Sequence, residues 1–275
     1  HLVFQAMGLA VMFAASLMPR EFLRRALILG TGALLVALML VPLIGTEVNG
    51  ARRWINLGVG FQPSEFLKPA FVVVVAWILS WRLRDPTLPV IGVSAALLAL
   101  IVALLMLQPN LGDAILFTGV WFALVLMAGL PMQRIAMAGG AGVVFLAGAY
   151  MFYDNARHRI DSFLGGGTAY DQVDLAARTL MGGGWTGSGL WLGTKKYMLP
   201  EAHTDYIFSV IGEEFGLLVC AAIVLVYAAI VLRVLVRQVE DDNLFVILAG
   251  SGLAVLFGGQ AFINILVNLQ LFPSK

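Results

Sequence analysis

Eight apolar runs, at 1–18, 26–45, 66–81, 90–107, 112–129, 135–152, 206–232 and 244–270, leave this chain few ways to fold. A helix needs about 20 apolar residues to cross a hydrocarbon core of roughly 30 Å, and most of the runs reach or approach that length. The run at 66–81 is short, but taking Pro63 as the first helical residue extends it to a full crossing. Apolar residues make up 60% of the chain and charged ones only 12%, which excludes an ordinary soluble domain. The expected fold is all-α, a polytopic membrane helical bundle with eight visible spans. It reads as a single membrane domain over 1–275, with one long extracytoplasmic loop, 153–205, inside it. The chain starts at His1 within one apolar run and stops at Lys275 just after another, so it reads as a fragment lacking both natural ends. No cleavable signal is recognisable. The one cysteine, Cys220, lies in an apolar run, which excludes an intrachain disulfide and a cysteine-type metal cluster.

Connections between the runs alternate between two faces. One face carries Arg20, Arg24, Arg25, Arg82, Arg84, Arg134, Arg233 and Arg237, and the positive-inside rule makes it cytoplasmic. The other face receives 46–63, 108–111, 153–205 and 271–275. Every motif-like polar segment falls on that second face: 50–54, 62–68, 108–110 and 199–205. Purely structural polar residues would scatter over both faces, so one working site facing outward is expected.

Residues 199–216 are the most informative stretch, running from a polar loop into an apolar helix that carries acids. A carboxylate at a membrane helix centre costs about 2.5–3.5 kcal/mol on insertion scales, so such acids usually serve a purpose. With a helix starting after Thr204, Asp205, Ser209, Gly212 and Gly216 share one stripe, Glu213 lies at its edge and Glu214 points nearly opposite. The two glutamates then cannot serve one pocket. Gly212 and Gly216 form a small-xxx-small pair that admits a close neighbouring helix. Asp205 reads either as an N-terminal charge favoured by the helix dipole or as a chemical group. Glu213 reads either as a buried pairing group or as a direct participant.

In Pro63–Pro69, Glu65 and Lys68 are three apart and form a local ion pair by default. Lys68 nonetheless lies a turn inside an apolar run, beside a carbonyl freed by Pro69, where a cation meets a lipid phosphate. Arg52 and Arg53 precede Trp54 in an outer loop; arginine suits bidentate phosphate recognition, and a solvated or headgroup-binding loop is the plainer reading. The loop 153–205 holds Arg157, Arg159, Arg178, Lys195 and Lys196, with a short amphipathic helix expected over Asp171–Met181 and the glycines of 165–167 and 182–184 as flexible boundaries. Lys195 and Lys196 are close enough in sequence to Asp205 to share its pocket. Gln260, Asn264 and Asn268 recur every fourth residue, and helix–helix hydrogen bonding accounts for them. His203 has no second ligand nearby in sequence, so a loop role is preferred to metal binding.

Taken together, Asn49–Gly58, Gln62–Lys68, Gln108–Gly112, Leu199–Phe208, Gly212–Gly216 and Gln260–Leu269 resemble the SEDS family of bacterial cell-wall proteins, the FtsW/RodA group. The likeness runs through essentially the whole chain, and over 49–69 it is closer to the division branch (FtsW) than to the elongation branch (RodA). The family has ten helices, so the resemblance implies that the first and last are missing here. Asn110 departs from the family's usual aspartate, with Asp113 one turn later.

The resemblance implies a peptidoglycan glycosyltransferase that polymerises lipid II into glycan strands during cell division, at the outer face of the bacterial cytoplasmic membrane. The family's essential aspartate maps onto Asp205, as general base, and its basic residues map onto Arg53 and Lys68, with Arg52 beside them. Lys195 and Lys196 complete the expected diphosphate-binding set, and Glu65, His203, Thr204, Ser209, Glu213, Asn264 and Asn268 are expected to support it. The sequence requires no cofactor; a divalent cation, Mg or Mn, is compatible. Expected partners are lipid II, the growing lipid-linked strand, a class B penicillin-binding protein, divisome or elongasome proteins and membrane lipids, with no nucleic acid. Two other classes compete: a flippase for the lipid-linked precursor, and a scaffold activating a transpeptidase. A transporter would place its site near the midplane and repeat it across two halves. The one-sided charges, without an internal repeat of 49–68 in 199–216, favour the enzyme.

Overall fold

The computed structural model describes residues 2–48, 51–56, 58, 60–85, 87–129 and 172–272, together with isolated positions between 133 and 161. Within these, α1 spans Leu2–Leu17, α2 Arg20–Ile44, α3 Pro63–Ser80, α4 Val90–Leu107, α5 Leu111–Met127, α6 Gln172–Gly182, α7 Ile207–Gln238 and α8 Leu244–Asn268. Of these, α2, α3 with its 3-10 continuation to Leu83, α4, α7 and α8 are long and apolar enough to cross a membrane; α1 and α5 are shorter apolar helices. This is a multi-pass helical membrane protein. Most of the run expected at 135–152 lies outside the described residues.

Local sequence sets several helix starts. Pro63 occupies the first turn of α3, where its missing amide costs no helical bond. The Asn110 side chain accepts from the amide of Asp113 at the start of α5, and Asn243 caps α8 through the amide of Phe245. The main core lies among α3, α4 and α5, closed by Leu38 of α2 and Leu248 of α8. Its centre is α3, whose Val72, Val75, Ala76 and Leu79 are fully buried. Phe71 meets Phe117 edge to face at 5.1 Å between ring centres. Gly252 lets α8 close on this core: a Cβ there would lie 2.7 Å from both Val72 Cγ1 and Leu124 Cδ2. Because most of α3 is buried, a polar residue on its inner face must find its partners inside the protein.

Three features differ from the sequence expectations. The outer connection after α2 is not wholly irregular: β1 (Thr46–Val48), β2 (Ala51–Asn56) and β3 (Gly60–Phe61) form a small antiparallel sheet in the order β1-β2-β3. Glu47 stands opposite Arg52, and Ile55 opposite Phe61. The second difference lies at Gly216, where φ is +83° and ψ 173°, so α7 is broken there and the stripe through 205–216 does not run on as one helix. The third is the loop before α7. The expected amphipathic helix is present as α6, packed on α7 through Ala176, Ala177 and Leu180, but the glycines after it are not a flexible boundary. A Cβ on Gly183 would lie 1.9 Å from the Gly212 carbonyl oxygen, so only glycine permits that backbone approach. The glycines at 165–167 lie outside the described residues.

The break in α7 is closed by this loop. Amides of Ser188 and Gly189 donate to the carbonyls of Glu213 and Glu214 at 2.8 and 3.0 Å, while amides of Leu217 and Leu218 donate to the carbonyls of Gly184 and Trp185. Irregular backbone next to a membrane span is tolerated where protein satisfies it, and here the loop replaces the bonds that the helix gives up. The close neighbour at Gly216 is therefore the backbone of this loop, while Gly212 receives Leu180 of α6.

Candidate active site

Two polar clusters and one exposed acid occupy the end of the bundle where α3, α5 and α7 begin and α8 ends. In the first cluster the Lys68 ammonium lies 2.7 Å from Glu65 Oε1 and 2.9 Å from Asp113 Oδ1. Ser64 Oγ and Asn110 Nδ2 donate to Asp113 Oδ2 at 3.0 and 2.7 Å, and Gln62 donates to Ser64. The expected Glu65–Lys68 pair is present, but the buried partner is Asp113. Residue 110 acts through its neighbour: its amide holds the Asp113 carboxylate, which in turn meets Lys68. The Arg53 guanidinium donates to the carbonyls of Gln108 and Pro109, fastening β2 to the turn before α5. Arg52 is exposed and pairs with Glu47 at 3.6 Å.

The second cluster fixes the start of α7. Asn268, fully buried at the end of α8, accepts from the amide and hydroxyl of Ser209 at 3.1 and 2.6 Å. Its own amide donates to the carbonyls of Asp205 and Asn264 at 3.0 and 2.8 Å. The polar stripe on α8 thus serves helix–helix bonding at Asn268 and grips the main chain of Asp205. Asp205 itself lies in the turn before α7, with Tyr206 as the N-cap and no acid in the first helical turn. It is exposed, and no hydrogen bond among the described residues ties down its carboxylate. Thr204 hydrogen-bonds to Glu201, Oγ1 to Oε2 at 2.7 Å, and His203 is exposed.

Glu213 and Glu214 face the same loop segment, contrary to the helical-wheel expectation. Both side chains reach residues 194–196, because the loop wraps round α7 at its break. Glu213 accepts from the amides of Thr194, Lys195 and Lys196 at 3.0, 2.8 and 2.9 Å. Glu214 is ion-paired with the Lys196 ammonium, which also lies 5.3 and 5.2 Å from the rings of Trp191 and Tyr197. Its hydrogen bond to Glu214 holds the Lys196 ammonium above the ordinary lysine range. Lys195 donates to the Arg178 carbonyl at 3.2 Å. At about 1.5 Å per residue, Glu214 is roughly 10 Å along α7 from its first residue. The lysines therefore meet α7 well past the turn that carries Asp205.

Sequence reasoning left Ser64 and Asp113 out of the site. Their signal was the Gln-Pro-Ser and Gln-Pro-Asn turns, each placing a polar side chain in the first turn of a central helix. Among the described residues no group of three or more His, Cys, Asp or Glu side chains could hold a metal ion. A cleft of about 1020 Å³ opens at the opposite, arginine-rich end, lined by Arg20, Arg24, Arg84 and Arg237, and none of the expected site residues borders it.

A polytopic helical membrane protein with its polar motifs gathered at one end is the class that this fold and site define. Over residues 1–275 the sequence matches the cell cycle protein family FTSW_RODA_SPOVE, and the chain belongs to it. It is 35% identical over 272 residues to the probable peptidoglycan glycosyltransferase FtsW of Caulobacter vibrioides, covering 98% of this chain and 70% of that protein. To the protein of the same name from Xanthomonas oryzae pv. oryzae it is 34% identical over 293 residues, covering 100% of this chain and 59% of that one. Among solved structures it resembles a chain of a peptidoglycan synthase complex, described as coordinating polymerization and crosslinking. That match has a TM-score of 0.79 and 26% identity over 99% of this chain and 79% of the other. The rod shape determining protein RodA of Thermus thermophilus matches with a TM-score of 0.68 and 27% identity, over 96% of this chain and 73% of that one.

Proposed function

We propose that this protein is the membrane-embedded glycosyltransferase of a division-type peptidoglycan synthase, polymerising lipid II at the outer face of the cytoplasmic membrane with Asp205 as general base. The observation that carries the reading is the placement of Asp205. Its carboxylate is exposed in a turn, while its backbone is held by the buried Asn268.

The reaction follows from these groups. Asp205 takes the proton from the 4-hydroxyl of the acceptor's N-acetylglucosamine. That oxygen attacks the anomeric carbon of the donor's N-acetylmuramic acid, and the bond to the polyprenyl diphosphate breaks with its electron pair. The leaving group departs as an anion, so it needs positive charge more than a strong acid. Arg52, Arg53, Lys68, Lys195 and Lys196 supply that charge. Lys68 reaches a phosphate by exchanging Glu65 or Asp113 for it, and Lys196 by exchanging Glu214. Glu65, His203, Thr204, Ser209, Glu213, Asn264 and Asn268 keep these elements in place. A class B penicillin-binding protein is the proposed partner, which the likeness to a synthase complex supports.

The test is reconstitution of the full-length protein with its class B partner in liposomes containing lipid II. Glycan strands longer than the disaccharide are the expected product. Translocation of lipid II with no glycan formed would replace this reading by that of a flippase.

A further inference from the structure

Between α6 and the 3-10 turn at Lys195–Met198, the chain exposes large apolar side chains that the proposed reaction does not use. Trp185, Leu190, Trp191, Leu192, Tyr197 and Met198 are 58–77% exposed. Left in water, a contiguous set of this kind is unfavourable and marks a contact surface. The backbone of this segment is firmly placed: it bonds to residues 213, 214, 217 and 218 across the break in α7, and Glu213 binds three of its amides.

That attachment fixes its depth. Arg237 stands in the last turn of α7. Counting back about 20 residues, or roughly 30 Å of hydrocarbon, from Arg233 and Arg237 leads to Glu213 and Leu217, on either side of the break at Gly216. The helix break and the loop bonded to it thus lie where the hydrocarbon ends on the site's face. The composition agrees with that depth. Residues 181–198 hold two tryptophans, one tyrosine and two lysines, with no aspartate or glutamate. Aromatic side chains partition to the membrane–water boundary, and lysines there reach the phosphate layer.

We infer that residues 181–198 form a lipid-contact surface, seated in the phospholipid boundary beside the site, with the exposed Trp185, Leu190, Trp191 and Leu192 side chains among acyl carbons. The occupant is phospholipid and not a partner protein, because the segment combines boundary depth with exposed tryptophan and tyrosine side chains, while its Lys196 is already paired with Glu214. The inference rests on the membrane-spanning fold and is independent of the chemistry assigned to Asp205.

The test uses the full-length protein in phosphatidylethanolamine–phosphatidylglycerol vesicles. A nitroxide is attached at Leu192→Cys in a Cys220→Ala background, with Glu201→Cys as the aqueous reference. The Leu192 label should collide with oxygen several-fold more often than with a water-soluble nickel chelate, while the Glu201 label does the reverse. A Leu192 label as open to nickel as the Glu201 label overturns the inference, and so does one screened from both reagents, which would mean a protein cover. With native cysteine, lipids brominated near the headgroup should quench tryptophan emission, and Trp185→Phe/Trp191→Phe should remove most of that quenching. Unchanged quenching in the double variant contradicts the lipid contact even if the labelled variants fail to fold.

Discussion

Lys68 and Asp113 meet at 2.9 Å with side chains only 3% and 6% exposed, one on α3 and the other on α5. Two buried charges are stable together only when their remaining bonds are satisfied, and here Glu65, Ser64 and Asn110 complete the set. The pair therefore locks two central helices at the end of the bundle that carries the site. Removing one partner leaves the other charge buried and unmatched.

Lys68→Ala should lower stability by about 3–5 kcal/mol, because it leaves the Asp113 carboxyl buried without its ionic partner. Removing both, in Lys68→Ala/Asp113→Ala, should cost less than the sum of the two single changes. Thermal or denaturant unfolding of all four proteins in detergent gives the coupling. Additive losses would mean that the pair is not a unit.

Asn268 is predicted to act at a distance from the chemistry. Asn268→Ala leaves Ser209 and the Asp205 carbonyl without their partner, at a cost of about 1–3 kcal/mol for buried groups left unsatisfied. Turnover should fall more than apparent substrate affinity, since the substitution frees the turn that positions Asp205. Steady-state polymerisation at several lipid II concentrations separates the two effects.

The break in α7 should tolerate nothing but glycine. A Cβ on Gly216 would lie 2.4 Å from the Trp185 carbonyl oxygen, at a φ of +83° that other residues avoid. Gly216→Ala should cost at least the roughly 1–3 kcal/mol of such backbone strain, whereas Gly30→Ala, with open space around it, should be near neutral. Melting temperatures of the two variants provide the comparison.

Glu213 should act as the clasp of the 194–196 loop. Glu213→Ala removes an acceptor shared by three amides, so trypsin should cut after Lys195 and Lys196 much faster than in the parent protein. Timed digestion followed by mass spectrometry of the fragments would show it; an unchanged cutting rate would mean that the backbone bonds across the break hold the loop by themselves.

How much of this was legible in the sequence varies by region. Apolar runs gave the helices, since the bilayer permits little else, and Pro63 marked the start of α3. The local Glu65–Lys68 pair was readable because it depends only on helical spacing. Asp113 as the buried partner was not, since it depends on how α5 packs on α3. The wheel over 205–216 did not reveal that both glutamates meet residues 194–196. It sets them about 100° apart on α7, but cannot show a loop wrapping round that helix, with Glu213 taking its amides and Glu214 its Lys196 ammonium. In sequence Gly183 reads as part of a flexible boundary, yet an added Cβ there would meet the Gly212 carbonyl oxygen at 1.9 Å, and at Gly187 and Gly193 it would meet Glu214 and Glu213 at 2.2 and 2.8 Å. Their meaning is close approach, which sequence spacing alone does not reveal.

The most direct test of Asp205 as general base is glycan synthesis by full-length Asp205→Asn with its class B partner, beside the parent protein. The amide matches the carboxylate in shape but is not a general base, so polymerisation should fall by about 100-fold or more. Melting temperature and lipid II binding should stay unchanged, because the Asn268 bond is made to the main chain of Asp205. Glycan strands formed at the parent rate would show that Asp205 is not the base.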